Sequence, residues 1–253
     1  MSRLLTRRRL ITTGLTAIAG ASGLAVAARV AGEYGLIPPD HGGIYGVGET
    51  LTYASQRLLT SRGSLAREFS ASQISTVAPI NGPTPLTFDY QQLLAGTFRD
   101  WRLELDGLVA RPASFSLADL HHFPVSRQIT HQACEEGWSF IAEWIGVRLS
   151  DVLNTVGVSP RAKYVAFFSF DDFWESLDMP DAWHPQTLLA YGMNGGELPT
   201  PHGAPVRLRV PRQLGYKSLK YLRQITVVDS LKDIGGGLGS ISPYLGYSWY
   251  AGI

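Results

Sequence analysis

A single cysteine, Cys134, stands among the 253 residues of this chain. That scarcity excludes an internal disulfide framework, a CxxC zinc site and a covalently attached haem, each of which needs at least two cysteines. The six histidines show no HxxxH or HExxH spacing, so a histidine-based zinc centre lacks its ligand pattern. Gly46-Val47-Gly48 has no third glycine and follows no strand pattern, which removes a dinucleotide-binding loop. Charge is scarce too. With 22 Lys and Arg against 21 Asp and Glu, net +1, no basic field argues for nucleic acid, and partners must be sought at local sites.

Apolar residues make up 45% of the sequence, enough for one substantial core. The 27 glycines and 15 prolines imply frequent turns, which suits an α+β domain better than a helical bundle. Four segments follow from composition. Residues 1–31 read as an export signal, with basic Arg3, Arg7, Arg8 and Arg9, an apolar run from Leu10 to Ala28, and small residues at Ala25-Val26-Ala27. The run Thr6-Arg7-Arg8-Arg9-Leu10-Ile11 fits the twin-arginine route to the periplasm, which carries proteins already folded. A plain secretory signal and an uncleaved membrane anchor are the competing readings; 19 residues is the lower end for a span. Residues 32–85 form an N-terminal extension, 86–230 the periodic domain, and 231–253 an aromatic tail expected to dock on the domain or on a partner.

Within the extension, 51–67 reads as a short amphipathic helix, and "TVAPINGPTPLTF" (76–88) as extended chain lying across a surface. From Asp100 the pattern turns periodic. "WRLELDGLV" alternates like a half-buried strand. "SLADLHHF" is a helix capped by Ser116, with His121 and His122 on its exposed face. "SRQITHQAC" is extended and ends at Cys134. "GVRLSDVLNTVGV" is a helix with Ser150 as cap and Gly157 as stop. "AKYVAFFSF", "TLLAYGMNGGELP" with a hairpin turn at Asn194-Gly195-Gly196, "APVRLRVPR" and "LKYLRQITVVD" supply further strands. The expected fold is α+β, a mixed β-sheet with short helices.

Two stretches carry chemistry. Taken alone, Cys134 leaves three readings open: a buried small hydrophobe, a nucleophile paired with His131, His121 or His122, and a thiolate ligand for a soft or high-valent metal. Residues 202–220 gather Arg207, Arg209, Arg212, Lys217 and Lys220. Arg207 and Arg209 share a strand face, Gly215 allows close backbone approach, and Lys217 is a point charge. Such a ledge suits the phosphate of a small molecule; a solvated basic strand is the plain alternative.

"ACEEGWSFIAEWIGVRLSDVL", "AKYVAFFSFDDFWESL", "LLAYGMNGGELPTPHGAPVRLRVP" and "GYKSLKYL" resemble the molybdopterin-dependent oxidoreductases of the sulfite-oxidase fold. The likeness is to the branch that includes the periplasmic methionine-sulfoxide reductase catalytic subunits. It covers roughly residues 86–230, in order. It implies a mixed-sheet molybdopterin-binding fold and a molybdenum–molybdopterin cofactor, with Cys134 binding molybdenum through its thiolate. It further implies that Arg207 contacts the pterin phosphate and that Gly215, Tyr216 and Lys217 cradle the cofactor. His202 falls beside the pterin, Ser169 on a Thr/Ser position after a strand, and Asn81 on an N-terminal asparagine that reaches the cofactor.

The activity so implied is two-electron oxygen-atom transfer on a small substrate, a sulfoxide or an N-oxide. With no CxxCH motif in the sequence, electrons need a separate partner, a membrane haem protein or a soluble cytochrome. Sulfite dehydrogenase, a non-catalytic cofactor-binding scaffold and a Cys-dependent hydrolase are the alternatives. The sequence also departs from the family. Sulfite oxidases follow their cysteine with arginines, whereas Glu135 and Glu136 follow here. Facing a pocket at about 6 Å and an effective dielectric of about 20, each carboxylate would cost a bound anion roughly 3 kcal/mol; a structural acceptor role for Glu136 is the alternative. The reductase carries an arginine just before its cysteine, and here that place is Ala133. Asp171, Asp172 and Trp174 are candidates for a substrate mouth.

Overall fold

The computed structural model describes residues 26–27, 29–31 and 36 and, without a break, 46–253. The export signal and most of the linker after it lie outside the described residues. Helix α1 (Val47–Leu59) leads the continuous part, so the expected helix starts and ends earlier than its 51–67 pattern indicated. After it come α2 (Phe88–Ala95), β1 (Leu103–Gly107), β2 (Ala113–Phe115), α3 (Leu117–His121), β3 (Val125–Ala133) and β4 (Ser139–Arg148). The chain continues through α4 (Leu149–Val156), β5 (Tyr164–Ser169), β6 (Trp174–Asp178) and α5 (Met179–Ala182). It ends with β7 (Leu188–Met193), β8 (Gly196–Glu197), β9 (Arg207–Arg209) and β10 (Leu222–Val228).

Two sheets result. The first runs β2-β1-β10-β5-β6, with β1 and β10 parallel and the other pairs antiparallel. The second runs β3-β4-β7-β8, with β9 antiparallel to β7. Pairing β1 with β10 joins the two ends of the domain, so the sheet is mixed, as the sequence pattern anticipates.

Period-two alternation decides which side chains meet. Leu103 and Leu105 of β1, Ile225 and Val227 of β10, Val147 of β4, Leu189 of β7 and Leu208 of β9 enter one core with α4. On the opposite face of the second sheet, Phe140, Ala142, Trp144, Leu188 and Ala190 form a smaller one. Helix α3 is held by a reciprocal cap in which Ser116 and Asp119 bond each other's backbone N–H. The cap expected at Ser150 is not used. Strand β4 pairs with β7 as far as Arg148↔Leu188, so the helix starts at Leu149 directly from the sheet, with Arg148 in the cap position and no side-chain bond. Gly157, at φ 68°, ends it in the left-handed region.

A third cluster fastens α1 and the tail to the domain. Tyr53, Tyr164, Leu231, Trp249 and Tyr250 pack together. Beside them Arg57 bonds Asp178 at 2.5 Å and Asp181 at 3.1 Å, and Arg212 bonds Asp181 at 3.2 Å. The tail therefore docks on its own domain. Asp181→Ala leaves two buried guanidiniums facing a lost counter-charge and is expected to cost about 3–5 kcal/mol, read as a lower urea midpoint.

Candidate active site

Strand β3 delivers Cys134 to the start of the loop that turns into β4. The loop closes when Cys134 N–H donates to Trp138 O at 2.9 Å and Gly137 N–H donates to Cys134 O at 3.1 Å. Gly137 takes φ 92°, a value few side chains tolerate. The Cys134 side chain, only 8% exposed, looks into a cavity of about 760 Å³. Asn81, from the chain crossing the mouth, donates its Nδ2–H toward Cys134 Sγ at 3.6 Å. The thiol faces Glu135 Oε2 at 3.4 Å and Glu136 Oε2 at 3.9 Å. Trp138 holds Glu136 from the other side, its Nε1–H donating at 2.9 Å. Burial, helped by the Glu135 and Glu136 carboxylates, pushes the Cys134 thiol up to about 11.

The far wall is basic. Arg207, buried on β9, donates to His202 O at 2.9 Å and Ser218 O at 2.7 Å, and its guanidinium lies 5.1 Å from the Trp144 ring centroid. Lys220 donates to Asn81 O at 2.6 Å and Pro201 O at 3.1 Å. Among the described residues neither has a carboxylate bond. Burial lowers Lys220 to about 8, with Arg207 adding repulsion, and lowers Arg207 to about 10. His202 falls to about 4 through burial first and these two cations second, so it is a neutral imidazole at pH 7.

Six of the eight residues singled out in the sequence line this one cavity: Asn81, Cys134, His202, Arg207, Gly215 and Tyr216. Gly215 is needed for close approach of chain to chain. A Cβ there would sit 2.5 Å from Gln132 Nε2 and 3.0 Å from Ala133 O, so glycine lets the basic loop press on the cysteine segment. Tyr216 donates its hydroxyl to Ser248 O at 2.5 Å and stacks on Tyr247 with centroids 5.4 Å apart.

Two of the eight do not line it. Lys217 turns away: its ammonium bonds Glu175 and Ser176 O, and lies 4.6 Å from the Trp249 ring centroid. The point charge expected at Lys217 is instead supplied by Lys220, three residues on: Lys217 closes the short turn Gly215–Lys217 and is captured by Glu175, whereas Lys220 lines the cavity. Ser169 is buried behind the wall. Its hydroxyl donates to Phe173 O at 2.9 Å, accepts Phe173 N–H at 3.1 Å and meets the Asp171 carboxyl. That hydroxyl has one proton, which the Phe173 O and Asp171 acceptors share. Burial raises Asp171, and the Ser169 hydrogen bond works against that rise.

Asp171, Asp172 and Trp174 line the cavity, as their candidacy for a mouth requires. Ser218, Gln132, Trp138 and Phe140 line it without having been singled out as cofactor contacts. The signal for Ser218 and Lys220 was the basic run itself; nothing in the sequence separates Lys217 from Lys220. His121 and His122 are exposed on α3, and His121 lies against Tyr191 rather than near the thiol. Among the described residues no cluster of three metal-ligating side chains occurs, so a polydentate protein cage is not what the wall builds. It offers one soft sulfur, two cations and an unpartnered acceptor, Gln132 Oε1. This set fits a metal that brings most of its own ligands on an anionic organic carrier.

A family model described as oxidoreductase molybdopterin binding domain matches residues 88–233. A putative protein-methionine-sulfoxide reductase subunit, YedZ1 of Azospira oryzae, is 36% identical over 192 residues, 73% of this chain and 70% of that protein. The protein-methionine-sulfoxide reductase catalytic subunit MsrP of Ralstonia nicotianae is 33% identical over 172 residues, 61% of this chain. The matched region spans about half of that relative's length, 52%. Among solved structures, the sulfane dehydrogenase SoxCD from Paracoccus pantotrophus superposes with a TM-score of 0.50 at 28% identity, over 53% of this chain and 40% of the other.

The two lysines should separate cleanly. Lys220→Met is expected to weaken retention of a phosphate-bearing ligand roughly tenfold, the scale of one charge-assisted contact. Lys217→Met is expected to lower the thermal midpoint instead, by stranding Glu175. In the ligand-free protein, inorganic phosphate binding should decline as pH rises through about 8, where Lys220 loses its charge. Isothermal titration across pH checks both.

Proposed function

Since the chain belongs to the oxidoreductase molybdopterin-binding domain family, a family of molybdenum-dependent redox enzymes, we propose that it reduces sulfoxides, with methionine sulfoxide in a peptide as its substrate class. The bound molybdenum–molybdopterin cofactor supplies two-electron oxygen-atom transfer. The reaction consumes two electrons and two protons and yields a thioether and water. The observation that carries the reading is the shared cavity, with Cys134 Sγ on one wall and, on the other, buried Arg207 and half-buried Lys220, neither of them bonded to a carboxylate.

In this reading Cys134 would hold the metal, as the deprotonated thiolate that a metal ligand requires. Asn81 Nδ2 donates toward the sulfur and orients it. Arg207 and Lys220 hold the phosphate of the carrier, with neutral His202 beside them. Gly215 lets the loop reach the cysteine segment, and Tyr216 is fixed by Ser248 and Tyr247. Lys217 and Ser169 act by positioning, the one through Glu175 and the other by holding the loop that presents Asp171. The Asp171 carboxyl faces the cavity, and burial raises its pKa.

Glu135 and Glu136 set the charge preference. Both line the cavity within 4 Å of the sulfur, as the two thiol distances give. A neutral sulfoxide is admitted, whereas sulfite meets two carboxylates. This favours the sulfoxide over sulfite dehydrogenation. The twin-arginine pattern supports an extracytoplasmic location, reached after folding with the cofactor installed. The single cysteine supports electron delivery by a separate partner, a membrane haem protein or a soluble cytochrome.

Metal analysis and turnover test the proposal together. The purified holoprotein should carry about one molybdenum per chain and reduce methionine sulfoxide with a dye donor. Cys134→Ser should lose the metal and the turnover; metal-loaded protein silent on all sulfoxides would overturn the assignment. The double change Glu135→Gln, Glu136→Gln should strengthen competitive inhibition by sulfite about tenfold, solvent screening at these part-exposed carboxylates reducing the full Coulomb figure.

A further inference from the structure

Helix α1 carries its polarity the wrong way round for a surface helix. Its two charged residues are both turned inward. Arg57 is buried against Asp178 and Asp181, and Glu49 accepts the backbone N–H of Trp249 at 3.3 Å. The outward face is left with Val47 (79% exposed), Leu51 (64%), Leu58 (43%) and Leu59 (75%). Val47, Leu51 and Leu58 fall at i, i+4 and i+11, one stripe of the helix, and no charged residue shares it. A solvated helix face normally carries charge, and aliphatic residues grouped in this way mark a contact surface. Just beyond, Arg62, Leu65, Arg67 and Glu68 are exposed, two guanidiniums against one carboxylate beside a further leucine.

We propose that this face rests in the headgroup layer of an anionic lipid bilayer, holding the enzyme against a membrane. Independently of what the cavity binds, three observations choose lipid over a second copy or another protein. Four exposed aliphatic side chains, followed by a segment with a net excess of exposed arginine over glutamate, match the composition of an interfacial helix. Among the described residues no helix is long and apolar enough to cross a bilayer, so contact at this face is at the surface. The chain upstream also has the means to bring the face there. Leu10 to Ala28 is a 19-residue run without charge, preceded by Arg7, Arg8 and Arg9. Only residues 29–46 separate it from α1, at most about 60 Å of extended chain.

The test uses the full chain in vesicles of phosphatidylcholine and phosphatidylglycerol, with a photoreactive benzoylphenylalanine introduced at Leu51 or at Leu58. An exposed control probe sits at Asn154 on α4. Expected are lipid adducts by mass spectrometry at positions 51 and 58 and not at 154. With the probe at 51, Leu58→Glu should cut the lipid yield about tenfold, the partition effect of one aliphatic side chain, with the thermal midpoint unchanged. Adducts to a second copy, adducts to residues 10–28 of the same chain, or yields no higher than at 154 would each overturn the proposal.

Discussion

A buried cation without a carboxylate is expensive, and this fold maintains Arg207 and Arg209 in that state, with half-buried Lys220 beside Arg207 on the cavity wall. The basic segment from Arg207 to Lys220 is divided by the structure into cations that are neutralised and cations that are not. Arg212 goes to Asp181, and Lys217 to Glu175. Arg207 and Lys220 receive only carbonyl and hydroxyl oxygens, and Arg209, buried behind them, bonds His131 O and Ser218 Oγ. The matched pairs tie the loop to the tail and to α1. Of the three unmatched cations, Arg207 and Lys220 line the cavity. Retaining such charges is explicable when an anion completes them, and the family's cofactor brings one.

The sulfur end obeys the opposite logic. Glu135 and Glu136 make the wall around Cys134 negative, while the wall beyond it is positive. A ligand that spans the cavity thus meets a thiol among carboxylates at one end and guanidinium and ammonium groups at the other. That polarity would orient a carrier that is anionic at one end and carries a soft metal at the other. Gly215 couples the two ends, since it lets the positive loop touch Gln132 and Ala133.

Much of this could be read from the residues in order. Alternation in "APVRLRVPR" put Arg207 and Arg209 on one side of a strand, and β9 keeps them there. The extended run into Cys134 became β3, and the Asn194-Gly195 turn became the β7–β8 hairpin, with Asn194 at φ 50° and Gly195 at φ 82°. Other features depend on tertiary partners that local pattern does not carry. Ser150 has the chemistry of a cap, but sheet pairing through Arg148 sets the helix start. Lys217 and Lys220 look equivalent until Glu175, forty residues upstream, captures one of them. Ser169 looks like a contact and is a brace, because it is buried off the cavity with its hydroxyl bonded to Phe173 and Asp171.

The Glu175 carboxylate has a consequence for how the enzyme is made. It accepts Lys217 and also the hydroxyls of Ser240 and Ser242. Strand β10 must join β1 before the first sheet closes, and Leu245 and Tyr247 are themselves part of the cavity lining. The chamber therefore does not exist on the ribosome while these residues are still unmade. A prosthetic group would meet the complete lining only once synthesis has passed Tyr247, which puts translation before loading.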